Sequence, residues 1–277
     1  MVKNEIACGA LALLLLASCS GPEYSWKRIP VDSHFTGVTA PTADNALEAL
    51  GSVQNGVYTA PSGRVFEGGV TPAEAEILIG LQPEMKDLKQ VVGYVPVAMD
   101  RRGKESALCN MVVDCIRQGA AKATGRRVDV AFTNRGGMRV NFVQGPLMME
   151  EVRSLLPFRN NIVTMRVKGS DLRALFAQMG REGFQAVSGA RLVYSGRELA
   201  GAEVGGQPLD DNRIYTLATI DFLLDGGDNY NIGDIALEGT LKRTDVPYVQ
   251  PFLDHILELQ AQGKPVEGQP DGRITVL

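Results

Sequence analysis

The sequence predicts an α+β fold, and three observations carry that prediction. After Gly93, runs that alternate apolar and polar residues take turns with runs of helical period, the pattern of helices packed on sheets. Leu172, Leu175, Phe176 and Met179 fall at i, i+3, i+4 and i+7, the spacing of a core-facing helical stripe. Val128, Val130 and Phe132 alternate with Asp129, Ala131 and Thr133, which reads as a half-buried strand delivering Asn134, Gly136, Gly137 and Arg139 to a sheet edge.

At the start of the chain, Lys3 precedes an uncharged, leucine-rich run from Ala7 to Ala17. It is too short to span a bilayer and has the size of a signal-peptide core. Leu16-Ala17-Ser18-Cys19 resembles a bacterial lipoprotein processing site with Cys19 as the acylated residue, although Glu5 and Cys8 depart from such a leader. An ordinary signal peptide cleaved before a cysteine is the alternative. The expected organisation is a lipoprotein leader over 1–19, a tether and N-terminal extension with short helices over 20–90, and one main domain over 91–277. A lipid-anchored place in the cell envelope, at the outer membrane or in the periplasm, follows from that leader.

From Ser20 to about Gly69 the composition shifts toward Pro, Gly, Thr and Ser, as a tether requires. Trp26, Ile29, Val31 and Phe35 are nevertheless spaced like an extended arm that packs on something, and Ala43 to Leu50 reads as a short helix. Thr71-Pro72-Ala73-Glu74 reads as a capping box with proline at the first helical position, opening a helix that runs to about Leu81 before Pro83. Gly93 to Met99 reads as a strand. Ser106 is the expected N-cap of a helix with Leu108, Val112, Cys115 and Ile116 on one face, ending near Gly125.

Ile162 to Val167 is the next expected strand, and Ser170 the expected cap of the helix that carries the Leu172 stripe. Ala190 to Tyr194, Ile214 to Ile220 and Arg273 to Leu277 read as further strands. A last helix over about 248–262 buries Phe252, Ile256 and Leu259, with His255 turned away. Cys109 and Cys115, six apart on a helix, point in different directions, so they are expected as buried free thiols.

The formal charge is −4 with both signs interspersed, and no basic run or helix face stands out. That excludes a nucleic-acid-binding surface of the usual kind. The Gly136-Gly137 step and Arg139 suit an anion, because glycines let backbone N–H groups approach closely and a guanidinium forks onto phosphate or carboxylate oxygens. Phe158 and Phe222 offer flat π-faces, and Asp228 offers a bidentate acceptor for ribose hydroxyls.

In that order, NRGGMR, LLPFRN and DFLLDGGDNY resemble the C-terminal, substrate-binding domain of the 5′-nucleotidase family, over roughly Val92 to Leu277. The resemblance implies layered helices on mixed β-sheets. It also assigns roles: Phe158 and Phe222 stack a base, Asp228 holds ribose hydroxyls, Asn134 and Asn160 sit near base or sugar edges, and Arg139 and Arg102 face phosphate. Arg101 is an alternative to Arg102. Glu105 to Cys115 matches a family helix pattern, with Cys109 where glycine is usual, and Ala98 stands where some members carry another arginine. Gln185 to Gly189 resembles a family segment that passes near the base pocket.

In that family, hydrolysis belongs to a separate metallophosphoesterase domain in which Asp, His and Asn ligands hold two divalent metals. This sequence has two histidines, His34 and His255, far apart, and contains no NHE or GHxH motif; Asp32-Ser33-His34 is a lone DxH. Ser188 is not in a GxSxG turn, and neither cysteine sits in a CxxxxxR loop. No catalytic residue or metal ligand is therefore expected here. Two readings remain: the nucleotide-binding half of a split 5′-nucleotidase whose partner chain holds the two metals, or a nucleotide-binding envelope lipoprotein without catalysis. A scaffold that has lost its pocket is disfavoured by Phe158, Phe222, Asp228 and Arg139.

Overall fold

The structure is a computed structural model that describes residues 41–277. The expected leader with Cys19, and Trp26, Ile29, Val31, His34 and Phe35, lie outside the described residues. The described chain opens with α1 (Ala46–Leu50) and an antiparallel meander of β1 (Ser52–Gln54), β2 (Val57–Thr59) and β3 (Val65–Glu67), followed by α2 (Thr71–Leu81). The sequence reading of this region contains helices and a tether but no sheet. Three-residue strands are too short to display alternation, yet the turn carries a local signal: Asn55 and Gly56, both at positive φ, join Gln54 to its partner Val57.

The main domain continues through β4 (Val91–Val95), α3 (Ala107–Thr124), β5 (Val130–Thr133), β6 (Gly145–Met148), α4 (Met149–Leu155), β7 (Asn161–Lys168) and α5 (Gly169–Glu182). It then runs through β8 (Ala186–Ser188), β9 (Ala190–Ser195), β10 (Glu198–Val204), β11 (Gln207–Pro208), β12 (Ile214–Ile220), β13 (Lys242–Pro247), α6 (Val249–Ala261) and β14 (Ile274–Val276). Five strands form a sheet in the order β13-β7-β12-β5-β8, and four form another in the order β11-β10-β9-β14. Both are mixed: β12 runs parallel to β5 and antiparallel to β7, and β9 runs parallel to β14 and antiparallel to β10.

Helix α3 lies against all five strands of the larger sheet, and α6 packs on α3 and β4. Helix α5 touches both β7 and β10 and so joins the two sheets. Its stripe of Leu172, Leu175, Phe176 and Met179 is buried, as its spacing requires. Gly180 lets it approach the smaller sheet, since a Cβ there would stand 2.6 Å from the Tyr194 ring. The Tyr194 hydroxyl donates to the Phe176 carbonyl at 2.8 Å, closing the contact. The layered α+β architecture expected from the sequence is the one observed.

Several local expectations differ. Val130 to Thr133 are all buried rather than alternating, as in a strand whose sheet is covered on both faces. Helix α2 begins without a side-chain cap, its N-cap position being Val70, so Thr71 does not form a capping box. Ser170 is not a cap either, since α5 starts at Gly169 with Lys168 at its N-cap. The strand expected over Gly93 to Met99 is β4 plus an isolated bridge from Met99 to Phe142. His255 is half-buried and lines a cavity between α3 and α6 instead of turning away.

Ser106 is the cap expected of it. Its Oγ accepts from the Cys109 amide at 3.2 Å and donates to the Asp100 carbonyl at 2.5 Å, tying the helix start to the loop before it. Gly125 closes α3 in the left-handed conformation, and Cys109 and Cys115 are buried and free. Burial pushes the Cys115 thiol up to about 12 and the Cys109 thiol up as well, so both stay protonated packing groups.

Urea unfolding should separate the real cap from the apparent ones. Ser106→Ala should cost about 1 kcal/mol, the usual value of an N-cap, whereas Thr71→Ala should stay within about 0.5 kcal/mol. Phe176→Ala should cost about 3–5 kcal/mol as a buried aromatic truncation. Equal losses for Ser106→Ala and Thr71→Ala would contradict the capping assignment.

Candidate functional site

Strand polarity brings the motif residues together. Strands β5 and β12 run parallel, so Asn134, just after β5, and Phe222, just after β12, leave the sheet at the same edge. Strand β7 runs antiparallel to β12 with Ile162 opposite Ile220, so Phe158, three residues before β7, arrives at that edge too. Strand β8 runs antiparallel to β5 with Ala186 opposite Thr133, which adds Gln185. Strand ends at which the chain changes direction are where α/β-type sheets hold ligands.

Phe158 therefore precedes its strand, whereas Phe222 follows one. A hydrogen bond holds the two segments in step, because the Asp221 carboxylate accepts from the Asn161 amide at 3.1 Å. Phe158 and Phe222 are each 46% exposed, a large cost for side chains of that size left facing water. Phe222 sits directly on Gly227: a Cβ at that glycine would stand 2.2 Å from the Phe222 carbonyl oxygen and 2.7 Å from its ring.

At the centre, Asn134 is 3% exposed and its Nδ2 donates to Asp228 Oδ2 at 2.5 Å. That bond fixes the amide orientation, because a carboxylate accepts and only the nitrogen donates. The other atom, Oδ1, is buried and has no hydrogen-bond partner among the described residues. An acceptor in this position is ready for an N–H or O–H of a ligand. Asp228 itself stands at φ 50° and Asn229 at φ 65°, a left-handed turn that Asp and Asn tolerate better than most residues. Gln178 supports it by donating from Nε2 to the Asn229 carbonyl at 2.9 Å.

Gly136 and Gly137 contribute by what they lack. A Cβ on Gly136 would lie 2.8 Å from Asp228 Oδ2, and one on Gly137 would lie 3.2 Å from Asn134 Oδ1. Arg139 donates from its backbone amide to the Leu155 carbonyl at 2.9 Å and from Nη1 to the Gly136 carbonyl at 3.1 Å. Its guanidinium carbon stands 5.8 Å from the centroid of the Phe158 ring, within cation–π range. Asn134, Gly136, Gly137, Arg139, Phe158, Phe222 and Asp228 thus form one connected group.

Arg102 and Asn160 are less integrated. Arg102 is exposed on its loop and is held through its backbone, whose amide donates to Asp100 Oδ1 at 2.8 Å. Arg101 is half-buried, with its amide donating to Asn141 Oδ1 at 3.2 Å. Asn160 is half-buried and its carbonyl accepts from the Tyr248 amide at 3.0 Å. The residue that sequence reasoning missed is Arg135. Its Nη1 donates to the carbonyls of Gly103 and Phe184, and its amide donates to Gln185 Oε1 at 2.8 Å. It binds the Arg102 loop and the Gln185 segment to the Gly136 turn; being adjacent to the NRGG glycines was its only signal. Among the described residues, no three His, Cys, Asp or Glu side chains are grouped to hold a metal ion.

Comparison with known proteins identifies the family. A family model described as "5'-nucleotidase, C-terminal domain" matches residues 91–234, more than half of the chain, and the chain belongs to that family. It is 28% identical over 227 residues to the trifunctional nucleotide phosphoesterase protein of Bacillus subtilis, covering 73% of this chain and 15% of that protein. It is 29% identical over 116 residues to the protein UshA of Yersinia enterocolitica, covering 40% of this chain and 21% of that one. Among solved structures, the 5′-nucleotidase precursor of Thermus thermophilus superposes with a TM-score of 0.64 at 28% identity, over 79% of this chain and 45% of that one. The NAD nucleotidase of Haemophilus influenzae shares the fold with a TM-score of 0.57 at 18% identity, over 79% and 47%. The chain thus spans less than half the length of these relatives.

The Gly227 contact is directly testable. Gly227→Ala should force Phe222 out of its place and cost about 1–3 kcal/mol, the usual size of an overpacking penalty. Urea denaturation measures it, and an unchanged midpoint would mean that Phe222 does not rest on Gly227.

Proposed function

We propose that this chain is the nucleotide-binding half of a 5′-nucleotidase-type phosphohydrolase and acts in nucleotide breakdown with a metallophosphoesterase on a separate chain. The observation that carries the reading is the group of two half-exposed phenylalanines, a fixed guanidinium and an Asn134–Asp228 pair on one sheet edge. It is the set a nucleoside monophosphate needs: π-faces for the base, a carboxylate for ribose hydroxyls, and a cation for phosphate. Family membership supports it, as do the phosphoesterase and nucleotidase names of its relatives.

In this reading Phe158 and Phe222 cover the base, and Asp228 accepts from the sugar hydroxyls while held by Asn134. The free Oδ1 of Asn134 takes a further ligand donor. Arg139 faces the phosphate with its orientation set by Phe158 and by the Gly136 carbonyl, and Arg102 reaches it from the loop that Arg135 ties down. Bond cleavage belongs to the partner chain, whose two divalent metals would activate water and stabilise the leaving oxygen. We further propose that Cys19 is lipidated and holds the chain at the envelope, on the strength of Leu16-Ala17-Ser18-Cys19. Cys19→Ala should then lose acyl label and leave the membrane fraction, and a variant that keeps both would refute the anchor.

Calorimetry tests the pocket without the partner. Phe158→Ala and Phe222→Ala should each weaken adenosine and AMP about 5- to 150-fold, corresponding to about 1–3 kcal/mol for one base–aromatic stack. Asp228→Asn should weaken ribonucleosides more than 2′,3′-dideoxynucleosides, which lack the hydroxyls. Parental affinity in both phenylalanine variants would remove the clamp. A metallophosphoesterase chain that neither binds this protein nor gains activity from it would instead leave a binder without the split enzyme.

A further inference from the structure

A second polar cavity lies at the other end of β5 and β8, away from the edge that carries Asn134. Ser188 pairs opposite Ala131, and Gly189 then passes so close to the chain before β5 that a Cβ there would stand 2.1 Å from the Asp129 carbonyl oxygen. Beyond that point lies an open cavity of about 290 Å³, lined by the positive-φ Gly205-Gly206 turn between β10 and β11 and by Arg117, Arg191 and Arg273.

Arg273 is 9% exposed and fully engaged. Its Nε donates to Asp271 Oδ1 at 3.0 Å. Its Nη1 donates to Asp114 Oδ1 at 2.9 Å and to the Val187 carbonyl at 3.0 Å. Its Nη2 donates to Asp114 Oδ2 at 3.0 Å and to Asp271 Oδ2 at 2.6 Å. All five N–H donors of the guanidinium are therefore used, and both carboxylates are turned toward it. The pairing holds the Asp271 carboxyl below the usual carboxylate range. Ser188 joins the same network: its hydroxyl donates to Asp114 Oδ1 and accepts from Arg117 Nε at 2.8 Å.

The other two arginines are differently placed. Among the described residues, Arg117 engages only its Nε, on Ser188, and its stem lies over Gly189. Arg191 there engages only Nη1, on the Asp271 carbonyl at 2.9 Å. Both line the cavity, where three arginines face two carboxylates and leave a formal charge of +1. Guanidinium edges without a protein partner, brought to one concave site with excess positive charge, are complementary to a tetrahedral oxyanion.

We propose that this cavity binds a phosphate group, either inorganic phosphate or the phosphate of a small ester, between Arg117 and Arg191. The Arg273–Asp114–Ser188 network is the frame that aims Arg117, and the volume leaves room for a few atoms beyond the phosphate. The site shares no residue with the edge holding Phe158 and Phe222, so the outcome here is independent of the nucleotide-binding reading.

The test is titration of the full chain at low ionic strength with inorganic phosphate and, separately, with glycerol phosphate, followed by calorimetry. Saturable binding is expected, weakened at least about tenfold in both Arg117→Gln and Arg191→Gln, the scale of a lost charged hydrogen bond. The same titrations are run in an Arg139→Gln background, so that the arginine assigned to the nucleotide edge adds no phosphate binding of its own. Tighter binding of glycerol phosphate identifies an ester as the preferred source, and equal or weaker binding identifies the free ion. Circular dichroism checks folding, and the exposed Arg191 supplies the readout if Arg117→Gln fails to fold. The proposal is overturned if neither probe saturates by about 10 mM in the Arg139→Gln background, or if that binding survives Arg191→Gln.

Discussion

The polarity of four adjacent strands is the constraint on which the candidate site depends. Seven registered residue pairs between β12 and β7 fix where β7 begins relative to where β12 ends. Leu217 opposite Val130 and Ala218 opposite Ala131 then fix β5 in parallel beside β12. With those registers set, Asn134, Phe158 and Phe222 have no freedom to leave the edge separately. A slip of one residue in β12 would turn Leu217 and the residues flanking it to the wrong face, so core burial enforces the site geometry as well as the fold. The ring contact of Phe132 with Tyr230, at 5.0 Å, fastens the loop after Phe222 to β5. Stability and site placement are in this sense one interaction.

The loop from Leu224 to Tyr230 shows what the site costs. Asp228 and Asn229 sit consecutively at positive φ, and Asp228 presses its carboxylate against the place where a Gly136 side chain would be. Backbone strain of this kind persists only where the surroundings over-determine it. Here the Asn134 amide, the Gln178 amide and the bond from the Gly226 amide to the Tyr230 carbonyl at 3.1 Å supply that determination. By sequence alone the glycine pair reads as an opening for an anion. The geometry gives it a different role, because neither glycine is at positive φ and each makes room for a polar side chain of the cluster.

Much of this was legible in the sequence because its signals are local. The α5 stripe, the Ser106 cap and the Gly125 stop each concern neighbours within one or two turns, and each is present in the fold. NRGG, PFRN and DFLLDGGD are recoverable as motifs, and strand alternation puts them near strand ends. What was hidden depends on partners far along the chain. Arg135 matters because Gly103 and Gln185 meet it, and Arg273 because Asp114 lies 159 residues earlier. Neither residue has a local pattern to mark it. The burial of β5 on both faces is likewise a property of its neighbours, and the apparent caps at Thr71 and Ser170 failed because each helix begins before its hydroxyl residue could cap it, with Val70 and Lys168 at the N-caps.

The half-exposed phenylalanines bear on how a binding domain and a catalytic partner divide the work in the function proposed above. An aromatic side chain facing water costs the folded chain what it returns on covering a ligand, so Phe158 and Phe222 store binding free energy in the unliganded protein. Groups remote from the reacting bond contribute to rate only when their binding energy goes into positioning that bond. A base stacked on one domain and a phosphate presented outward by Arg139 would convert that stored energy into orientation at a partner's metals. The sheet edge is suited to it, because Arg139 is tied at once to the Leu155 carbonyl, the Gly136 carbonyl and the Phe158 ring. With its backbone fixed on Leu155 and its guanidinium on the Gly136 carbonyl and over the Phe158 ring, Arg139 favours one distance between base and phosphate as well as a charge.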